Sequence, residues 1–175
     1  MFAWNDFFDS GAPETIKQQT TRQTPSNARV YVLLCLFNRC TSTDYGGALS
    51  CSSSVEYLLL ESSAFFSCTT TSDRGGGVYI YNSNCQSVLH KVCGYDCYSN
   101  SVGHFSYTRV KYTATSKNYY NYSSISHCRK ESYGTEMLTI CYGKICCLSV
   151  NSSNNKCSRY SSVYCVPTAS SSAIC

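Results

Sequence analysis

The sequence predicts an all-β protein, a right-handed parallel β-helix of about five rungs of 28–31 residues each. Three observations carry that prediction. Cysteines recur at Cys40, Cys68, Cys97, Cys128 and Cys157, with spacings of 28, 29, 31 and 29 residues. A glycine follows each of the first four after six or seven residues, at Gly46, Gly75, Gly103 and Gly134, and Val163 takes that place in the fifth copy. Short runs of alternating apolar residues fill the intervals, and no long stripe of period 3.6 occurs in 29–166. Two features of unrelated chemistry that keep one period mark a repeat, and alternation of period two marks strands. A unit this short cannot bury its apolar face alone, so it must stack on its neighbours. Parallel crossovers are right-handed by default.

Taken in order, residues 1–28 form a polar leader or cap. Phe2, Trp4, Phe7 and Phe8 make an aromatic cluster, and a Thr/Gln-rich stretch follows with Pro13 and Pro25 as breakers. Two readings stay open: a disordered leader, or a cap whose aromatics lie over the open end of the column. Residues 29–166 are the repeats and 167–175 a tail. The apolar run 30–37 reads as one buried strand. Each copy then holds three short strands. After the glycine, Leu49 and Cys51, Val78 and Ile80, Ser106 and Thr108, and Met137 and Thr139 share one face; Ser50, Tyr79, Tyr107 and Leu138 share the other. The second strand reads as 55–59, 88–92, 110–114 and 146–150. The third leads into the anchor cysteine, clearest at 64–67 and 123–126. A large apolar residue stands three before that cysteine in three copies, at Phe37, Phe65 and Ile125.

A rung must turn sharp corners. Gly46-Gly47 and Gly75-Gly76 supply positive φ without steric cost, as do Gly103 and Gly134. Asp44 and Asp73 stand two before the glycine pairs, where a short carboxylate can bond turn amides. The five anchor cysteines form an inward ladder. In-register side chains point the same way, which suits disulfide geometry poorly, so the ladder is expected to be mostly free thiols.

Composition narrows the function. Hydrophobic residues are 43% of the 175-residue chain and charged residues only 14%, so the surface is polar but sparsely charged. The net charge is +4, yet only Arg129 and Lys130 are adjacent among the basic residues, too scattered for a phosphate track; no nucleic-acid partner is expected. Fourteen cysteines suggest a secreted scaffold, but no Cys-x-x-Cys pair occurs. The opening residues lack the charged and apolar regions of a signal peptide, and no run of 18 apolar residues predicts a membrane span.

Gly-Gly-Ala-Leu at 46–49 and Gly-Gly-Val-Tyr-Ile at 76–80 follow Phe-Asn-Arg-Cys at 37–40 and Phe-Phe-Ser-Cys at 65–68. This pattern resembles the GGA[ILV] and FxxN repeats of polymorphic outer-membrane proteins, of the cysteine-rich kind also found in surface proteins of parasitic protists. The likeness is clear over 29–82 and degenerate through 166. It implies a pectin-lyase-like β-helix exposed at a cell surface and used in adhesion, with a host or cell-surface protein or glycan as partner. The FxxN asparagine is cysteine in these copies.

The chemistry that can be weighed is thin. Asp44 and Asp73 in matching turns would bring two carboxylates about 5 Å apart, the separation of a retaining glycosidase; Glu131 lies in the corresponding turn two rungs on. Turn capping is the plainer reading, so a non-enzymatic binding module is expected first and a carbohydrate-active β-helix enzyme second. His90, His104 and His127 show no nucleophile or metal signature, and no cofactor or metal is expected. Tyr79, Tyr81, Tyr107, Tyr119, Tyr120 and Tyr122 are candidates for an aromatic outer face. Asn121-Tyr122-Ser123 and Asn151-Ser152-Ser153 are glycosylation sequons.

Overall fold

The computed structural model describes residues 4–71, 73–128, 135–158 and 162–168. Within them the chain is a parallel β-helix. A short helix, α1 (Trp4–Phe7), and a strand, β1 (Glu14–Lys17), precede five coils. The first coil holds β2 (Arg29–Leu33), β3 (Leu36–Asn38), β4 (Thr41–Ser42) and β5 (Leu49–Cys51). The second holds β6 (Tyr57–Glu61), β7 (Ala64–Phe66), β8 (Thr69–Thr70) and β9 (Val78–Tyr81). The third holds β10 (Gln86–His90), β11 (Cys93–Tyr95), β12 (Tyr98–Ser99) and β13 (Ser106–Arg109). The fourth holds β14 (Lys117–Asn121), β15 (Ser124–Ser126) and β16 (Leu138–Cys141), and the fifth β17 (Lys144–Leu148), β18 (Asn151–Ser153) and β19 (Val163–Val166).

Equivalent strands stack into four parallel sheets. The first sheet is β1-β2-β6-β10-β14-β17, the second β18-β15-β11-β7-β3, the third β12-β8-β4 and the fourth β19-β16-β13-β9-β5. Stacking in register lines equivalent side chains into columns. Val32, Leu60, Leu89, Tyr120 and Cys147 form one inward column of the first sheet. Leu49, Val78, Ser106, Leu138 and Val163 form one of the fourth. These apolar positions merge into one continuous core.

Several sequence expectations shift. The run 30–37 is two strands, broken where Leu34 turns the corner at φ 52° and stands 49% exposed. Left-handed corners recur on non-glycine residues after every strand of the first sheet (Gln18, Leu34, Ser62, Lys91, Tyr122, Ser149) and of the second (Arg39, Ser67, Asp96, His127, Asn154). Glycine serves at the corner before the fourth sheet, with Gly46, Gly75 and Gly103 at φ 65–68°, and at Gly143 between β16 and β17, at φ 75°. Gly47 and Gly76 serve differently: a Cβ on Gly47 would lie 2.2 Å from the Gly76 carbonyl oxygen, so they allow coils to approach rather than turn. Gly134 lies outside the described residues, as does Glu131.

In the fourth coil Leu138 and Ile140, not Met137 and Thr139, stand in register with Ser106 and Thr108, because one more residue separates that copy's glycine from its strand; Met137 is buried in the core just before the strand. Val163 is likewise an inward strand residue paired with Leu138, not a corner. The first-sheet strands begin two residues from the expected positions, and β14 replaces 110–114 altogether. The signal of β14 is hidden because its inward residues, Asn118 and Tyr120, are polar. They are held in a buried network. Asn118 Oδ1 accepts from Ser87 Oγ and Thr108 Oγ1, both at 3.2 Å, and its Nδ2 donates to the Cys141 and Tyr142 carbonyls at 3.2 and 3.1 Å. Tyr120 and Ser106 hydroxyls lie 2.7 Å apart. Satisfied in this way, buried polar groups cost little.

The described part of the leader carries α1 and β1. β1 pairs with β2, and Gln23 bridges to Leu49, so 14–28 makes a shortened coil closing the end of the column. Trp4, Phe7 and Phe8 lie elsewhere than over that end, and Phe2 is outside the described residues. Trp4 and Phe8, each 3% exposed, pack against Tyr31, Leu33, Leu59 and Val88 on the outer side of the first sheet. Lys117 fastens this strap, its ammonium donating to the Phe7 carbonyl and lying 5.4 Å over the Phe8 ring.

Candidate binding surface

The anchor cysteines occupy one inward position from coil to coil. The residue after each donates to the cysteine below: Thr69 N to Cys40 O, Tyr98 N to Cys68 O, and Lys156 N to Cys128 O. That last bond puts Asn155, not Cys157, on the fifth step. Asn155 earns the place by bonding both ways, accepting from Cys128 N at 2.9 Å and donating to the Ile125 carbonyl at 3.0 Å. Cys157 sits two residues on, half-buried against the core. The fifth step thus carries asparagine where the first four carry cysteine. The ladder cysteines Cys40, Cys68, Cys97 and Cys128 are free thiols. Ladder thiols donate to carbonyls, Cys68 to Phe37 and Phe66 at 3.5 and 3.4 Å and Cys97 to Phe65 and Tyr95 at 3.7 and 3.5 Å. Burial pushes the Cys97 thiol well up, and Cys40 up more modestly. Cys68 goes the other way, lowered chiefly by its hydrogen bond with Cys97; what the ladder thiols share is inward burial in the core, which keeps them from reagents.

The two aspartates have different surroundings. Asp44 is exposed and lines a shallow cleft with Arg22, Thr41, Ser42, Thr43 and Thr71. Asp73 is turned to Arg74, 3.5 Å from its Nε. The histidines are also apart. His104 is buried and its Nδ1 accepts from Ser99 N at 3.3 Å, closing a turn. The His127 ring lies 4.9 Å from Tyr95, while Cys128 points inward. His90 packs against Phe7 and Tyr122. Among the described residues no group of three His, Cys, Asp or Glu is placed to hold a metal.

What the coil does bring together is on the outer side of the fourth sheet. Tyr45, Tyr79 and Tyr107, one from each of three successive coils, stack with ring centroids 4.4 and 5.6 Å apart and tilts of 15° and 20°. Arg74 lies 4.9 Å over Tyr107 and donates to its hydroxyl at 3.3 Å. One position along, Tyr81 and Arg109 are register partners. Arg109 lies between Tyr81 and Tyr142, 5.0 Å from each centroid, and Tyr112 meets Tyr142 edge-on. Burial pushes the Tyr79 phenol up to about 12, with Tyr45 adding to it, so it stays neutral.

Of the tyrosines singled out from sequence, Tyr79, Tyr81 and Tyr107 are on this face. Tyr119 lies by the strap, Tyr120 is in the core and Tyr122 is an exposed corner. Arg74 and Arg109 were missed, although writing the outward positions of successive copies in register places Arg109 beside Tyr81. Stacking occupies most ring faces, so the face offers ring edges, hydroxyls and two guanidinium edges. Tyr45 and Tyr81 each remain 40% exposed. No family model matches the chain, and no curated protein or solved structure matches it.

Proposed function

We propose that the chain is a non-enzymatic β-helix binding module that engages a cell-surface protein or glycan through the Tyr–Arg face. The observation that carries the reading is the continuous layer of tyrosines and two ring-stacked arginines built across three coils. Tyrosine and arginine recognise partners well because each combines apolar area with a directional donor at low entropic cost. Adhesion of the kind used by polymorphic outer-membrane-protein repeats is the setting that fits such a module. No helix among the described residues is long and apolar enough to cross a membrane.

The competing reading is a polysaccharide-cleaving enzyme using Asp44 and Asp73. Purified chain, Asp44→Ala, Asp73→Ala and Tyr81→Ala are incubated with acidic and neutral polysaccharides and with immobilised cell-surface extracts. The module reading expects no cleavage, and retention that Tyr81→Ala weakens and the aspartate changes leave intact. Cleavage abolished by either aspartate change would replace it with the enzyme.

A further inference from the structure

We infer that the cleft beside Arg109 is an anion subsite for the carboxylate or sulfate group of an acidic glycan. This deepens the binding-module reading and rests on it. The cleft measures about 190 Å³ and is lined by Ser53, Tyr81, Asn82, Ser83 and Arg109. It is large enough for one sugar ring of a longer chain running along the face.

Arg109 is already positioned. Its guanidinium is held between the Tyr81 and Tyr142 rings, and Nη1 donates to the Tyr81 hydroxyl at 3.2 Å. Both flat sides are covered, so the N–H edge is the part left to act. Side-chain freedom that an exposed arginine would lose on binding is lost here in folding, which favours affinity. A planar fork matches a carboxylate or sulfate better than any neutral group. Among the described residues Arg109 makes no ion pair, and no acidic residue lines the cleft.

The remaining walls suit a saccharide. Asn82, 5% exposed, is used up in the turn: its Nδ2 donates to the Ser53 and Val55 carbonyls at 2.8 and 2.7 Å, and its Oδ1 accepts from Asn84 N at 2.9 Å. That fixes the loop whose Ser53 and Ser83 line the cleft with Arg109. Tyr81 offers ring surface against which the C–H groups of a sugar can pack.

The test titrates the full chain with three oligosaccharides of one backbone: uronate-bearing, sulfated and neutral. Binding is followed by calorimetry. At least one acidic form should bind ten-fold or more tighter than the neutral parent; which one identifies the anion. Arg109→Gln should remove that preference, so that the acidic form binds no tighter than the neutral parent. Arg109→Lys should remove most of it, because an ammonium lacks the fork. Ser83→Ala, at an exposed position that leaves the fold alone, should weaken acidic binding a few-fold. Equal binding of acidic and neutral forms, or an acid preference that survives Arg109→Gln, overturns the subsite and leaves the face as a binding surface. Absence of any binding to all three at millimolar concentration overturns the subsite too; the face itself is then judged by retention on cell-surface protein.

Discussion

Gly94 shows how single residues are fitted to the stack. Phe37, Phe65 and Ile125 fill the inward column of the second sheet in the first, second and fourth coils, and Gly94 stands between Phe65 and Ile125. The space is taken by Phe105, which enters from the fourth-sheet side and meets Phe65 edge-on at 5.6 Å. A Cβ on Gly94 would lie 2.5 Å from the Phe105 ring. Gly94→Ala should therefore destabilise by about 1–3 kcal/mol, the usual cost of overpacking, read as a lower urea midpoint. Asn118→Ala should cost about 1–3 kcal/mol, since it takes a partner from Ser87, Thr108 and two carbonyls in the core, although Thr108 keeps Thr139 and Tyr120 and the Cys141 carbonyl keeps Val110. Thiol chemistry gives a third check. Among the described cysteines Cys93 alone is exposed, and exposure sets the order, since burial raises Cys93 as well as Cys51, to about 12, and Cys141, to about 11, while the hydrogen bond with Cys97 lowers Cys68. Brief alkylation at pH 8 followed by peptide mass spectrometry should label Cys93 ahead of every ladder cysteine. Equal labelling of Cys68 or Cys97 would contradict the packing.

At the level of elements, the period was legible because cysteine and glycine are rare enough to be counted and each meets a fixed need of the coil. The inward fourth-sheet columns of the first three coils were legible for the same reason: their distance from the glycine is constant. Other features were not. Corners on Leu34, Lys91 and Tyr122 carry no compositional mark, since a left-handed conformation in these residues is imposed by the strands on either side. β14 was missed because its core residues are polar and only the tertiary network explains them. Asn155 was missed because the eye follows Cys157.

The strap is an element with its own pH dependence. Burial pushes the His90 imidazole below its ordinary value, with Lys91 acting the same way and Glu61 and Asp6 opposing. The fold thus favours the neutral ring, whereas an unfolded or released His90 protonates near pH ~6.5. The strap's contribution is full above that pH and is lost as pH falls below it. The sole tryptophan, Trp4, reports on the strap directly. Its emission should move to the red between pH 7.5 and 5 in the native chain and stay constant in His90→Phe. Identical curves would exclude His90 as the cause.

Over the whole molecule, stability comes from stacking, so the ends matter most. Residues 14–28 close one end by pairing β1 with β2 and covering the first coil. Deleting residues 1–28 bares the edge of β2 and the outer face under the strap, and an open parallel edge recruits other chains. Light scattering should show the truncated chain associating at concentrations where the full chain does not. The face built by the stack is the central functional claim. It is tested most directly by measuring retention on intact cell surfaces for three forms: the native chain, a double Arg74→Ala and Arg109→Ala variant, and a control altered on the outer side of the second sheet, Leu36→Ser with Tyr95→Ser. The account predicts at least a ten-fold loss for the arginine variant and none for the control. Retention unchanged in the arginine variant and lost in the control would contradict it.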